Sequence, residues 1–459
     1  MGSFVRLGAQ PLIRPSDGGR SLGRNLLVFE DVTASLTIRE ISSPGYRDKF
    51  TPSAYDVPNF NVTRSAIWAH FRVELPDEGT YYIQVDPPSL REATLFTRQK
   101  DGSFTASRTG IFHPLAERDV NTHHFMFRIR GVPGDTLDYY LRVTNFEPLQ
   151  INLTVGRAEQ FISLTRHEDA ISIFCFGLVW MMMIYNFYLF ATNRDRTYLY
   201  YVMYVLFNFI FTSCVSGYVI YYPRFVMFIV EHVPAWNPAL LGLFGSLFAM
   251  RFLNTRERAP RGHKAILGIC IALVVVMAVS LAGYHQFSII MMEILGFVFG
   301  VILISTGITV LRRGYRPAVF FLCGYGCYLV SLCVFISSNL YLLPVNAITM
   351  NSLQIGTCLE ILLFSFALGD KMNTFKNEKE KATEDALRAS LANEKLVREQ
   401  NALLEVKVKE RTLEIEKQKN IIEEKNKDIT SSIMYAKRIQ QALMPTEVYL
   451  DRILRRFRK

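Results

Sequence analysis

The chain has 459 residues, half of them hydrophobic, with an aromatic share of 13%, a charged share of 20% and a net charge of +10. That length allows two or three domains, and so low a charged share argues against a wholly soluble protein. The positive balance suits nucleic acid or a membrane surface, and the clustering of apolar residues between 171 and 370 decides for the membrane and against nucleic acid.

Residues 1–25 are expected to be a poorly structured N-terminus. Their opening, MGSFVRLGAQPLIRPSDGGR, has no apolar signal-peptide core. The expectation is that the true start lies upstream or is misassigned; the alternative is export of the N-terminal segment by the first membrane helix alone.

Residues 26–155 alternate as strands do, within an expected extracytoplasmic sensor domain of residues 26–165. In AIWAHFRVEL (66–75), Ile67, Ala69, Phe71, Val73 and Leu75 share one face and Trp68, His70, Arg72 and Glu74 the other. HHFMFRIR (123–130) and DYYLRVT (138–144) repeat the pattern, TYYIQVD and QINLTV look similar, and PDEG, DPPS, KDGS and VPGD supply turns. The expected fold is an antiparallel β-sandwich or jelly roll with one wet face per sheet. The polar faces collect Trp68, His70, Arg72, Arg128 and Arg142, a set suited to a sugar ring or an anionic small molecule; ordinary solvated strand faces would look the same. This region has no cysteine, so it folds without disulfides.

Residues 166–370 hold seven apolar stretches: about 171–191, 197–220, 236–253, 264–284, 288–311, 317–340 and 345–369. Each is about the 20 residues that a bilayer core requires. The third is the least clean and follows RFVMFIVEHVPAW, which reads as an interfacial turn of helix. One set of connections carries Arg194 and Arg196, then Arg251, Arg256, Arg258, Arg261 and Lys264, then Arg312, Arg313 and Arg316, then the Lys-rich tail from Lys371. The other set is nearly bare. The bias puts the C-terminal tail in the cytoplasm and residues 1–165 outside, in a multi-pass protein of the inner membrane. All seven cysteines lie in these stretches, and Cys323 and Cys327 read as small buried hydrophobes rather than a metal pair. Glu360, with Gly356 one turn earlier, and Glu293 lie within the membrane, where each is a candidate for signalling. Either Glu360 bonds to a polar side chain of another helix as a structural element, or it is a latch that re-pairs when the last helix moves. The region between Lys264 and Lys371 lacks the lysine of a retinal Schiff base, and no Gly/Pro-broken repeat suggests a transporter.

From 371 to 445 the composition is that of a solvated coiled coil. Leu396 and Leu403 end one heptad series; Val408, Ile415, Ile422 and Ile429 form the next, after a register slip, and Ile433 joins the stripe. A seam only half apolar predicts a weak parallel homodimer, easily re-registered, against the alternative of a single solvated helix. Pro445 is expected to end the helix. In the basic tail 446–459, Leu450, Ile453, Leu454 and Phe457 stand beside five basic residues. That suits an anionic membrane or acidic partner, or else a tail with no selected role.

These segments carry a family resemblance. IWAHFRVEL…YYIQVDPPSLREATLF…YYLRVTN, FAMRFLNTRERAPR (248–261), RRGYRPAVFFLCGY (312–325) and LQIGTCLEILLFSFALGDKM (353–372) resemble the seven-transmembrane receptors with diverse intracellular signalling modules, over residues 26–372. The resemblance implies a bacterial membrane sensor with a type 2 extracellular domain similar to carbohydrate-binding jelly rolls. KNKDITSSIMYAKRIQQALMP (425–445) resembles the linker before SpoIIE-type serine/threonine phosphatase domains. After Asp385 only Asp428 and Asp451 remain, too few for that enzyme's metal site, and the last histidine is His285, which leaves no phospho-acceptor for a kinase. The expected protein is therefore a non-enzymatic receptor that signals to a separate cytoplasmic effector, without metal or cofactor. The alternative is the regulatory half of a membrane-bound phosphatase.

Overall fold

The strand at the centre of the N-terminal domain is β4 (Ala66–Glu74), which pairs with strands on both of its edges. The protein is described by a computed structural model over residues 12–13, 15, 21–60, 63–132, 134–145, 149–339, 342–343, 346–444 and 447–457. In it, β1 (Leu12–Ile13), β2 (Leu27–Asp31), β3 (Thr51–Pro52), β4, β6 (Glu92–Arg98), β7 (Phe104–Thr109) and β9 (Thr136–Thr144) form one sheet. Its order is β3-β2-β4-β9-β6-β7, antiparallel throughout, with β1 parallel to the end of β4. β5 (Gly79–Asp86), β8 (Phe125–Gly131) and β10 (Asn152–Arg157) form a second antiparallel sheet, β10-β5-β8. The alternating residues Ile67, Ala69, Phe71 and Val73, with Tyr139, Leu141 and Val143, face Ile83, Val85, Phe125, Phe127 and Val155 in one buried core. This is the expected sandwich. His123 and His124, read from sequence as the start of a strand, precede β8 instead. The N-terminal stretch 1–25 falls mostly outside the described residues, but Ile13 is buried in the sandwich core.

Residues 32–50 were not legible as structure. They form α1 (Ile38–Ile41), capped by reciprocal hydrogen bonds between Thr37 and Glu40, and α2 (Pro44–Arg47), which starts at a proline. Both short helices lie on the outer face of the larger sheet, where Ile41, Phe50, Trp68 and Tyr140 close a second small core.

The helices that follow are α3 (Ala158–Asn193), α4 (Arg196–Val215), α5 (Arg224–His232), α6 (Trp236–Phe252), α7 (Thr255–Arg258), α8 (Pro260–Leu281), α9 (His285–Arg312), α10 (Ala318–Asn339), α11 (Ala347–Met350), α12 (Ser352–Leu443) and α13 (Glu447–Arg456). Among the described residues, six are long and apolar enough to cross a membrane. A seventh span results if α5 and α6, bent by 94° at their junction, are one crossing. The weak third stretch is α6, and the ambiguous segment before it forms the separate helix α5. Helix ends follow local chemistry: Arg194 closes α3 in the left-handed region (φ 57°), and the Asp195 side chain accepts from the Thr197 amide to start α4.

The chain divides into two units, residues 1–372 and 373–459. In the second unit the rest of α12 and then α13 expose every described side chain, and i,i+4 pairs such as Glu384–Arg388 and Glu394–Arg398 line the helix. Pro445 lies outside the described residues, so the expected helix stop there is not seen directly.

Candidate functional site

The expected wet face of β4 is corrected by the structure. Trp68 is fully buried, stacked on Phe96 at 5.7 Å, with its indole nitrogen lacking a hydrogen-bond partner. His70 is 7% exposed, stacked on Tyr140 at 4.2 Å. These residues face outward from the sheet as predicted, but residues 32–50 cover them, so they support the fold. The His70 ring meets Asp138 at 2.6 Å, and Arg72 and Arg98 approach the same carboxylate at 3.7 and 3.8 Å. Burial alone would raise the Asp138 carboxyl, but the hydrogen bond with His70 and the nearby Arg72 and Arg98 guanidinium groups hold it below its usual value. Arg128 sits on the other sheet, opposite Tyr82, and donates to the Asp119 carbonyl, so it does not join the rest.

Arg142 does reach a cleft. A cavity of about 450 Å³ opens between the sandwich and the α8–α9 turn, lined by Arg64, Arg91, Glu92, Arg142 and Asn145 on one side and by Gly283, His285 and Gln286 on the other. Arg142 donates to the Ala34 carbonyl at 3.0 Å and faces Glu92 at 3.9 Å, while Arg64 bonds to Gln286. Three guanidinium groups against one carboxylate make the cleft cationic.

A second polar cluster lies where the sandwich meets the first membrane helix. The 3-10 turn Tyr218–Tyr221 after α4 enters the sandwich, with Val219 buried in its core. Gly217, at φ 79°, lies so close to Pro88 that a Cβ there would be 2.8 Å from its ring carbon. Beside this turn His123 stacks on Tyr218 at 4.2 Å, and Tyr218 donates to Asp169 Oδ1 at 2.7 Å. The same Asp169 oxygen stands 3.5 Å from His123 Nε2 and 3.8 Å from His124 Nε2. One donor atom from each of these three residues lies within 4.8 Å of the others, spacing compatible with a metal ion. Burial, aided by the charge of His124, pushes the His123 imidazole down to about 3, against the pull of Asp169. Burial also opposes charge on His124, but Asp169, Asp86 and Glu168 more than offset it and raise that imidazole. No motif in the sequence marks this cluster; only the HH pair was visible.

Within the bundle, residues 351–365 at the start of α12 are held to α3 and α4 by a series of hydrogen bonds. Ser172 bonds to Gln354 at 2.8 Å and to Asn351 at 3.0 Å, Gln354 to Ser216 at 2.6 Å, and Asn186 to Ser365 at 2.7 Å. Between them Tyr204 donates to Glu360 Oε2 at 2.9 Å and Tyr201 to the Ile361 carbonyl at 2.5 Å. Glu360 is fully buried, and among the described residues its Oε1 has no hydrogen-bond partner. Gly356 allows α10 to approach, since a Cβ there would collide with Ser331. Glu293 is exposed on α9 and takes no part in this ladder. In the second unit the seam positions Leu396, Leu403, Val408, Ile415, Ile422, Ile429 and Ile433 are all exposed in the single chain.

A β-sandwich joined to six or seven membrane-spanning helices defines a multi-pass membrane protein with a folded domain outside the bilayer. Two family models match adjoining stretches: the 7TMR-DISM extracellular 2 domain over residues 23–157, and the 7TM diverse intracellular signalling domain over residues 168–371. By both domains the chain belongs to the seven-transmembrane receptors with diverse intracellular signalling modules. No curated protein matches the chain.

Proposed function

We propose that this membrane receptor is a bacterial signal transducer of the inner membrane. Its sandwich lies outside, takes up a small acidic or polyhydroxylated ligand such as a carbohydrate, and reports it through α12 to a cytoplasmic effector. The observation that carries the reading is the cleft walled by Arg64, Arg91 and Arg142, which joins strands of the sandwich to the α8–α9 turn. Guanidinium groups bind carboxylates and hydroxyls in planar, bidentate fashion. A ligand touching both walls has different contacts when they move, and that differential affinity is what shifts a two-state protein.

The basic ends of the bundle support a cytoplasmic C-terminus. Lys371 donates to the Arg251 carbonyl and Arg258 lies over Tyr315, so these groups meet at one end, while Asp169, Tyr218 and Gln286 lie toward the sandwich. The exposed seam residues support a weak homodimer through residues 373–443. The chain itself is assigned no catalysis; the effector is of the serine/threonine phosphatase kind that the 425–445 helix resembles.

Thermal unfolding of the detergent-solubilised chain, measured against hexuronic acids and neutral sugars, tests the binding step. A saturable stabilisation by a sugar acid, weakened at least about tenfold in Arg91→Ala, is expected for lost bidentate contacts. A stabilisation equal in the variant, or none from any sugar or sugar acid, contradicts the reading.

A further inference from the structure

We propose that His123, His124 and Asp169 bind a divalent transition metal of the zinc class at the seat of the sandwich on the first membrane helix. Two imidazoles and a carboxylate are the ligand types zinc prefers among nitrogen and oxygen donors. Their arrangement is convergent: both histidine Nε2 atoms face the same oxygen of Asp169, at 3.5 and 3.8 Å. Around a tetrahedral ion with bonds of about 2.0–2.1 Å, neighbouring donor atoms stand about 3.3–3.5 Å apart. Movements of a few tenths of an ångström suffice to complete those two edges.

A second observation points to a ligand. His124 is 7% exposed, and among the described residues neither ring nitrogen makes a hydrogen bond, Nε2 meeting only the Asp169 carboxylate at 3.8 Å. A buried imidazole that makes no hydrogen bond is costly, and a metal bond to Nε2 would satisfy one of the two nitrogens. The outer residues also fit. Tyr218 donates to the coordinating oxygen of Asp169 at 2.7 Å and packs its ring on His123, fixing both ligands. Gln84 donates to Asp86, whose carboxyl, like that of Glu168, lies near His124. The fourth position falls to a water.

The histidines belong to the sandwich and Asp169 to α3, so the ion would tie one to the other and stiffen their junction. The inference is independent of the arginine cleft, and either can fail without the other.

The test uses the full chain without a polyhistidine tag, purified in detergent and stripped with EDTA. Titration with Co²⁺ should give the visible absorption of a tetrahedral N/O site at one ion per chain, bleached by Zn²⁺. His123→Gln and His124→Gln should abolish the band, and Tyr218→Phe should weaken binding about 10- to 100-fold at unchanged stoichiometry. A Zn²⁺-dependent rise in the unfolding temperature of the unsubstituted chain gives a readout should a histidine variant not fold. The proposal is overturned if that chain neither shows the band nor is stabilised by Zn²⁺, or if folded histidine variants bind Co²⁺ as it does.

Discussion

Tyr204 on α4 and Glu360 on α12 share a hydrogen bond of 2.9 Å, with Glu360 fully buried and Tyr204 partly so. It lies midway along the polar ladder between α12 and its neighbours, so it ties the outgoing helix to the second span. A double-mutant cycle with Tyr204→Phe and Glu360→Gln should give a coupling of about 0.5–1.5 kcal/mol, the range for such bonds inside membranes. Unfolding of the solubilised protein measures it, and additive effects would show that the pair is not an energetic contact.

Close packing of α12 on α10 gives a steric prediction. Gly356→Ala should destabilise by about 1–3 kcal/mol, because the methyl group overpacks against Ser331. Ser331→Gly in the same chain should recover most of that loss, whereas Gly369→Ala, with open space beside it, should be nearly silent.

Trp68 separates a structural role from a binding one. Trp68→Ala should cost about 3–5 kcal/mol through the cavity left under residues 32–50, seen as a lower unfolding temperature with or without sugar. A variant that kept full stability and lost only binding would return Trp68 to the ligand.

Asp138 predicts a pH dependence. Its carboxyl titrates lower in the folded protein than in the unfolded chain. It therefore contributes stability that is present above about pH 4, the unfolded value, and lost as the pH falls through the lower folded value. Asp138→Asn should lower stability at pH 7 by about 1–3 kcal/mol, by removing the negative charge that Arg72 and Arg98 approach and weakening the bond to His70. It should also flatten the acid limb of the stability profile below pH 4.

The inner faces of the strands were legible because Ile67, Ala69, Phe71 and Val73 alternate without interruption, and the spans because apolar runs of bilayer length have few other uses. The cover over Trp68 was not legible. Leu36, Ile38, Ile41, Tyr46 and Phe50 follow neither a strand nor a helix period, since they pack from two one-turn helices and the loops between them. Alternation also says which face a residue takes but not which sheet, and so Arg128 was grouped with Arg142 although they lie on different sheets. The cleft and the His123–His124–Asp169 cluster draw on segments far apart in the chain, and no local pattern announces such sites.

The claim that the cleft controls the helix leading to the effector is tested most directly by disulfide cross-linking in membranes. Cysteine at Ile415 or Ile422, on the seam, should cross-link between chains faster than at Lys417 or Glu424, about 200° around the helix from those positions. Saturating sugar acid should change the seam rate, and Arg142→Ala should abolish that change. Equal rates on both faces, or a seam rate that a bound ligand leaves unaltered, would contradict the account.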